Sequence, residues 1–96
     1  MPGQVADLPE GASLETSYRG LPLLVIRHKE ELVALSALCT HENCRVEWRN
    51  SLGIVQCPCH DGRFDLRGNV LAGPPPAPLQ RFEVEVRDGE LHFREP

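Results

Sequence analysis

Short apolar runs, most of them alternating with polar residues, recur along this chain, and no apolar pattern of helical period extends beyond about ten residues. The clearest alternation lies at residues 81–94, where Phe82, Val84 and Val86 share one face and charged residues share the other. The dipeptide Asp88-Gly89 interrupts this run, and Asp-Gly favours a type I′ turn because it tolerates positive φ at both central positions. The pattern therefore predicts a β-hairpin that turns at Asp88-Gly89.

Three further strands are predicted in the first half of the chain, at residues 12–18, 21–27 and 32–38. The run Leu-Pro-Leu-Leu-Val-Ile within 21–27 is continuously apolar, which is typical of a central strand that is buried on both faces. Residues 30–38 are less clear, because their Glu, Leu and Ala content favours a helix by intrinsic propensity. We predict a strand there because the segment follows a polar turn at 28–31, and pairing with a neighbouring strand can outweigh propensity.

Between Cys39 and Pro78 the predicted strands become shorter and the predicted turns more frequent. Short strands predicted at residues 45–49, 53–57 and 63–66 are separated by turns rich in Asn, Gly and Pro. We interpret residues 39–78 as a small loop-rich subdomain inserted into the rest. All 96 residues then form a single domain. The predicted fold is all-β, a small antiparallel β-sandwich with this inserted subdomain.

Composition excludes several functions. Ten Lys and Arg against fourteen Asp and Glu give a net charge of -4 and a pI near 5.5, so no basic surface is predicted for nucleic acid. No apolar run approaches the roughly 18 residues that a membrane span needs. The amino terminus has neither the basic start nor the apolar core of a secretory signal. The sequence therefore predicts a soluble cytoplasmic monomer that binds neither nucleic acid nor membrane.

Two short motifs place cysteine and histidine together within residues 39–78. The first is Cys39-Thr40-His41, and the second, after fifteen intervening residues, is Cys57-Pro58-Cys59-His60. A thiolate and an imidazole two or three residues apart in a turn can point to one centre, so two such pairs predict a metal site. Two-Cys, two-His ligation also suits structural zinc, and four cysteines could instead form two disulfides. Zinc would leave two cysteines unused, and disulfides would leave both histidines without a role.

This arrangement resembles the Rieske family, in which a Cys-x-His and a Cys-x-x-His motif bind a 2Fe-2S cluster and two His replace two Cys on one iron. The resemblance extends over nearly the whole chain. It implies that Cys39 and Cys57 ligate the inner iron and that His41 and His60 ligate the outer, solvent-facing iron. It also implies a Rieske-like fold and electron transfer as the function.

Two further cysteines, Cys44 and Cys59, match the extra pair that forms a disulfide between the cluster loops in Rieske proteins of cytochrome bc-type complexes. One of them lies in each predicted ligand loop, where a bond would contribute about 3 kcal/mol through unfolded-state entropy. The alternative is two buried thiols, which the cytoplasm would favour. Residues 73–79 resemble the proline-rich loop that covers the cluster in the same proteins, although such a run could also bind another domain as a polyproline segment.

The sequence departs from the high-potential Rieske proteins beside both ligand motifs. Gly62 and Phe64 stand where those proteins carry Ser and Tyr, whose hydroxyls donate hydrogen bonds to sulfur and stabilise the reduced cluster. Without these donors we predict a potential in the lower or middle part of the family range, which spans about -150 to +300 mV. Glu42 and Asp61 follow the two histidines, and their carboxylates either favour a basic partner surface or are simply solvated.

These features predict a one-electron carrier that exchanges electrons with redox partner proteins and catalyses no reaction itself. The first alternative is the ferredoxin component or small subunit of an oxygenase or other oxidoreductase, and the second is a zinc-stabilised interaction module. His28, in the polar turn, and His92, on the last strand, are predicted to be solvated. Trp48 is predicted to pack within the subdomain.

Overall fold

The computed structural model describes residues 8–38, 44–59, 62–73 and 77–95. Within these residues the chain forms nine antiparallel strands, and no helix long and apolar enough to cross a membrane is found. A five-stranded sheet has the order β1-β2-β3-β8-β9, and a four-stranded sheet has the order β4-β5-β6-β7. The strands are β1 (Ser13–Tyr18), β2 (Leu21–His28), β3 (Glu31–Ser36), β4 (Glu47–Arg49), β5 (Ile54–Cys57), β6 (Gly62–Phe64), β7 (Val70–Ala72), β8 (Arg81–Arg87) and β9 (Glu90–Arg94).

β2 is buried on both faces, as its continuous apolar run predicts. Successive strand residues point to opposite faces, yet Leu23, Leu24, Val25 and Ile26 are all at most 3% exposed. Leu24 and Ile26 belong to one apolar core, and Leu23 and Val25 belong to another. The strand therefore separates two cores and is the central element of the fold.

β3 is a strand although its composition favours a helix. It pairs with β2 over six positions, from Leu23↔Ser36 to His28↔Glu31. This pairing buries the apolar half of β3 on both sides, and Leu35 is fully covered. Tertiary pairing thus outweighs intrinsic propensity here, and the predicted strand is confirmed.

The hairpin of β8 and β9 turns at Asp88-Gly89, as predicted. Asp88 has a φ of 52° and Gly89 a φ of 78°, which are the two positive values that a type I′ turn requires. The five-stranded sheet curls so that its two ends meet, because Tyr18 of β1 packs edge-on against Phe82 at a ring distance of 5.8 Å and also contacts Phe93 at 5.9 Å. The curled sheet thereby encloses the smaller core.

The larger core lies between the two sheets. The four-stranded sheet contributes Val55 and Phe64, which are fully buried against Ile26 and Leu35 of the five-stranded sheet. Burying a side chain of this size contributes about 1.5–3 kcal/mol. The packing fixes the four-stranded sheet, which carries the predicted ligand loops, on the rest of the molecule. Other members of this core are Leu24, Val33, Ala37, Val46, Cys57 and Leu79.

Two details of the structure differ from the sequence-based predictions. Val70–Ala72 forms an additional strand, β7, which was not predicted. All three of its residues are exposed, so buried and exposed positions do not alternate along it. His28 was predicted to be solvated in a turn and this is wrong: it is the last residue of β2, is half-buried, and meets the Trp48 ring edge-on at 6.0 Å. The turn takes up only residues 29 and 30, so the strand extends one residue further. His92 is exposed, as predicted.

Candidate metal centre

The first predicted ligand loop is closed at its base by strand-like pairing. Leu38 and Arg45 form an isolated antiparallel bridge, and the amide of Val46 donates to the carbonyl of Ala37 at 2.9 Å. Ala37 and Val46 are at most 1% exposed. The loop therefore begins and ends on the core, just beyond the end of β3, the middle strand of the five-stranded sheet. Two of its predicted ligands, Cys39 and His41, lie outside the described residues.

The second predicted ligand loop connects β5 to β6. The hairpin of these strands ends at the pair Cys57↔Gly62, both of which are buried, whereas Pro58 and Cys59 in the connection are exposed. The loop is thus anchored by a buried pair and presents its turn to solvent. His60, the fourth predicted ligand, lies outside the described residues, as does Asp61.

A disulfide between Cys44 and Cys59 joins the two loops. The Cα atoms of the two residues are 6.4 Å apart, which is within the range that a disulfide spans. The predicted pairing is confirmed, and the alternative of two thiols at these positions is wrong.

Cys57 lies beside this disulfide at the bottom of the second loop. Its side chain is 1% exposed and packs in the larger core. The sulfur atoms of Cys44, Cys57 and Cys59 all lie within 4.8 Å of one another. Cys44 and Cys59 are bonded to each other and offer no thiolate, so of these three sulfurs only that of Cys57 can act as an anionic ligand.

The donor that the described residues provide suits an iron-sulfur cluster. Thiolate sulfur is the preferred ligand of such clusters, and Cys57 offers one at a position from which the core excludes water. The disulfide brings the first loop, which carries Cys39 and His41 in the sequence, to the same place. The arrangement thus has a buried thiol at its centre and two loops tied around it.

The residues that follow the second motif lack hydroxyl groups, as the sequence shows. Gly62 is buried directly opposite Cys57 in the hairpin. Phe64 is fully buried and shares the larger core with Cys57. Neither residue can donate a hydrogen bond from its side chain to sulfur. Glu42, the other residue noted beside a predicted histidine ligand, lies outside the described residues.

The proline-rich loop is anchored at its carboxyl end. Pro74, Pro75 and Pro76 lie outside the described residues. Leu79, which ends the loop, is 3% exposed in the larger core, and its amide donates to the carbonyl of Gly68 at 2.8 Å. The loop therefore returns to the four-stranded sheet at the turn between β6 and β7.

Asp65 organises that turn. Its Oδ1 accepts hydrogen bonds from the amides of Arg67 at 2.8 Å and Asn69 at 2.9 Å, and its Oδ2 accepts one from Nδ2 of Asn69 at 3.2 Å. Partial burial opposes ionisation, but the amide bonds from Asn69 and Arg67 outweigh it, so the pKa of Asp65 lies below its ordinary value. Sequence reasoning missed this residue, although Asp followed by Gly and Asn is a signal for such a turn.

Trp48 belongs to β4 of the four-stranded sheet and packs against the larger core, as predicted. Its ring lies partly buried against the larger core, and its Nε1 donates to the carbonyl of Gly11 at 3.0 Å. This bond satisfies the polar end of the side chain. The contact gives Trp48 a structural role that links the four-stranded sheet to the segment before β1.

The sequence profile of the Rieske 2Fe-2S domain matches residues 1–83. The chain is 33% identical, over 93% of its length, to the cytochrome b6-f complex iron-sulfur subunit of Chlorobaculum tepidum, and it covers 49% of that relative. It is 44% identical over 68% of its length to the menaquinol:cytochrome c reductase iron-sulfur subunit of Geobacillus thermodenitrificans, of which it covers 41%. The chain thus spans about half the length or less of these curated relatives.

This chain matches two solved structures over a larger share of their length than it matches the curated relatives. The ferredoxin of carbazole 1,9a-dioxygenase from Nocardioides aromaticivorans has a TM-score of 0.79 and 26% identity, with 95% of this chain and 91% of that chain covered. The plasma membrane Rieske protein of Synechocystis PCC 6803 has a TM-score of 0.77 and 26% identity, with coverage of 95% and 90%.

Proposed function

Because this chain belongs to the Rieske 2Fe-2S domain family, we propose that it transfers single electrons between redox partner proteins by means of a 2Fe-2S cluster. The observation that carries this proposal is the position of Cys57, a buried thiol beside a disulfide that ties two loops together. When bound, the cluster takes up and releases one electron at a time. The chain itself supplies the ligands and controls access of water.

We assign four ligands. Cys39 and Cys57 hold the inner iron, and His41 and His60 hold the outer iron. The burial of Cys57 supports its inner position, because its side chain is 1% exposed and packs in the larger core. The exposure of Pro58 and Cys59, which lead to His60, supports an outer position for that histidine. Only Cys57 of the four lies within the described residues.

The Cys44–Cys59 bond keeps the two ligand loops at one place. A cross-link between two loops restricts their movement relative to each other, so it lowers the entropy that is lost when four ligands converge. Preorganisation of this kind favours a metal centre whose ligands come from separate segments. In this proposal the disulfide positions the ligands and takes no part in ligation.

A second candidate is the ferredoxin component of an oxygenase system. It is favoured by the structural likeness to the ferredoxin of carbazole 1,9a-dioxygenase, which has a TM-score of 0.79 at 26% identity. In either case the chain is a carrier that delivers electrons to a reaction elsewhere. The lack of hydroxyl donors at Gly62 and Phe64 favours a potential in the lower or middle part of the family range, about -150 to +300 mV, and this suits the ferredoxin candidate.

Anaerobic reconstitution with iron and sulfide tests the proposal. We expect equal amounts of iron and acid-labile sulfide, visible absorption, and reversible reduction by one electron. The variant Cys57→Ser should lose the absorption, whereas the double variant Cys44→Ser/Cys59→Ser should retain it after fresh reconstitution, because those two residues are not ligands. Retention of the full cluster by Cys57→Ser would contradict the ligand assignment. Uptake of zinc in place of iron and sulfide would support the zinc-stabilised module instead.

A further inference from the structure

We infer that Ser36 is a positioning residue for the first ligand loop, because its hydroxyl ends β3 and sets the direction in which the chain continues to Cys39. This inference rests on the proposed function, in which Cys39 is a ligand of the cluster. Among the described residues, Ser36 is the only polar or charged residue that is buried, at 8% exposure. A buried hydroxyl costs free energy unless it forms a hydrogen bond, so the contacts of this side chain indicate why it is there.

Backbone hydrogen bonds hold β3 on both sides up to the end of the strand. The Ser36 amide donates to the carbonyl of Gln80 at 2.8 Å, and the Ala37 amide donates to the carbonyl of Pro22 at 2.9 Å. Backbone groups of successive residues in a central strand point to opposite neighbours. In a continued strand the Leu38 amide would therefore point to the same side as that of Ser36, towards the chain that leads into β8.

The ladder on that side stops at Leu38. The register Ala34↔Phe82 would place Leu38 opposite Pro78, which has no N–H group with which to complete a pair. The Leu38 amide donates instead to the hydroxyl oxygen of Ser36, at 3.3 Å. Side-chain bonds of this short range compete with strand pairing and favour turns. The Ser36 hydroxyl thus takes the place of a ladder partner at the point where the chain leaves the sheet.

This bond lies directly before the predicted ligand Cys39. Leu38 also forms the bridge with Arg45, which closes the base of the loop, so the hydroxyl fixes the residue from which the loop starts. A ligand side chain has to be held within about 0.5 Å and 10–20° of its productive geometry. A fixed amide at Leu38 narrows the range of positions open to the next residue. Ser36 therefore acts through the backbone and is not itself a ligand.

Hydrogen exchange at the Leu38 amide tests the bond itself, with or without a bound cluster. The full-length chain is compared with Ser36→Ala, with Ser36→Thr, and with the control Ser17→Ala, which alters an exposed residue of β1. Exchange should be about tenfold faster in Ser36→Ala, the change that corresponds to about 1.4 kcal/mol, near the upper net value of one hydrogen bond. Ser36→Thr keeps the hydroxyl and should match the parent, as should Ser17→Ala. An unprotected Leu38 amide in the folded parent, or equal exchange in Ser36→Ala, would overturn the inference.

Electron paramagnetic resonance of the reconstituted, reduced chain tests the effect on the ligand. A ligand whose position varies from molecule to molecule spreads the g-values, so Ser36→Ala should broaden the lines and Ser36→Thr should keep the parent width. A merely structural role would lower the free energy of unfolding and leave the line width unchanged, and that result would overturn the inference. A parent chain that binds no cluster would count against the proposed function, whereas exchange at Leu38 would still decide whether the Ser36 hydroxyl directs the chain.

Discussion

A side chain at Gly68 would collide with the backbone of Leu79. A Cβ atom built at Gly68 would lie 2.5 Å from the carbonyl oxygen of Leu79, and Gly68 itself has a φ of 85°. The two residues are also joined by the hydrogen bond from the Leu79 amide to the Gly68 carbonyl, at 2.8 Å. This close approach fixes the end of the proline-rich loop against the turn between β6 and β7.

The substitution Gly68→Ala should therefore destabilise the protein more than a glycine substitution that has room. Gly20→Ala is the matched control, because Gly20 has a φ of 82° but no atom within 4 Å of the added Cβ. The control should lower the free energy of unfolding by about 1–2 kcal/mol through backbone strain, and Gly68→Ala by about 1–3 kcal/mol more through overpacking. Denaturant unfolding measures both, and equal losses would show that the Leu79 contact does not matter.

Asp65 should make stability depend on pH in the acid range. Its pKa is lower in the folded protein than the unfolded value of about 3.9, so its stabilisation is complete above that pH and is lost as pH falls through the folded pKa. Asp65→Asn keeps an oxygen acceptor for the amides of Arg67 and Asn69 but cannot ionise. Unfolding free energies between pH 2 and 6 should therefore fall less steeply in Asp65→Asn; parallel curves for the two proteins would refute the assignment.

A hydroxyl at position 62 should raise the midpoint potential. Gly62 lies opposite Cys57 in the hairpin, so a serine there can donate a hydrogen bond toward sulfur, and the reduced cluster gains most from it because it is more negative. If the bond is stronger in the reduced state by about 1.4 kcal/mol, a one-electron potential rises by about 59 mV. Gly62→Ala controls for the added Cβ. A rise in Gly62→Ser that Gly62→Ala reproduces would assign the effect to packing.

Removal of the disulfide should cost stability. Cys44 and Cys59 are 15 residues apart in sequence, and a loop of that size corresponds to about 3 kcal/mol in the unfolded-state entropy model. The double variant Cys44→Ser/Cys59→Ser should unfold at lower denaturant concentration and should lose a reconstituted cluster faster. Unchanged unfolding under non-reducing conditions, with the bond in the parent protein verified by mass spectrometry, would contradict this role.

The elements that sequence patterns predict best are those in which local and tertiary preferences agree. Asp88-Gly89 fixes its turn by backbone conformation alone, and the apolar run of β2 fits only a strand between two cores. β3 required knowledge of its neighbour, because its composition and its pairing point in opposite directions. β7 has no pattern that could have revealed it, since it is held by backbone pairing with β6 while its side chains remain exposed.

Part of the candidate site could likewise be predicted from the sequence, and part could not. Motif spacing indicated a metal centre but left zinc and paired disulfides open, and the family resemblance supplied the pairing of Cys44 with Cys59. The closeness of Cys57 to that bond depends on the Cys57↔Gly62 hairpin and the Leu38↔Arg45 bridge acting together. Contacts made by two separate segments cannot be derived from the spacing within either one.

The most direct test of the proposed centre is electron paramagnetic resonance of the reconstituted, dithionite-reduced chain. Two histidine and two cysteine ligands predict a rhombic signal with the low average g-value of mixed nitrogen and sulfur ligation, together with two iron atoms per chain. A signal with the higher average g-value of a cluster held by four cysteines, or a colourless chain without any signal, would contradict the account.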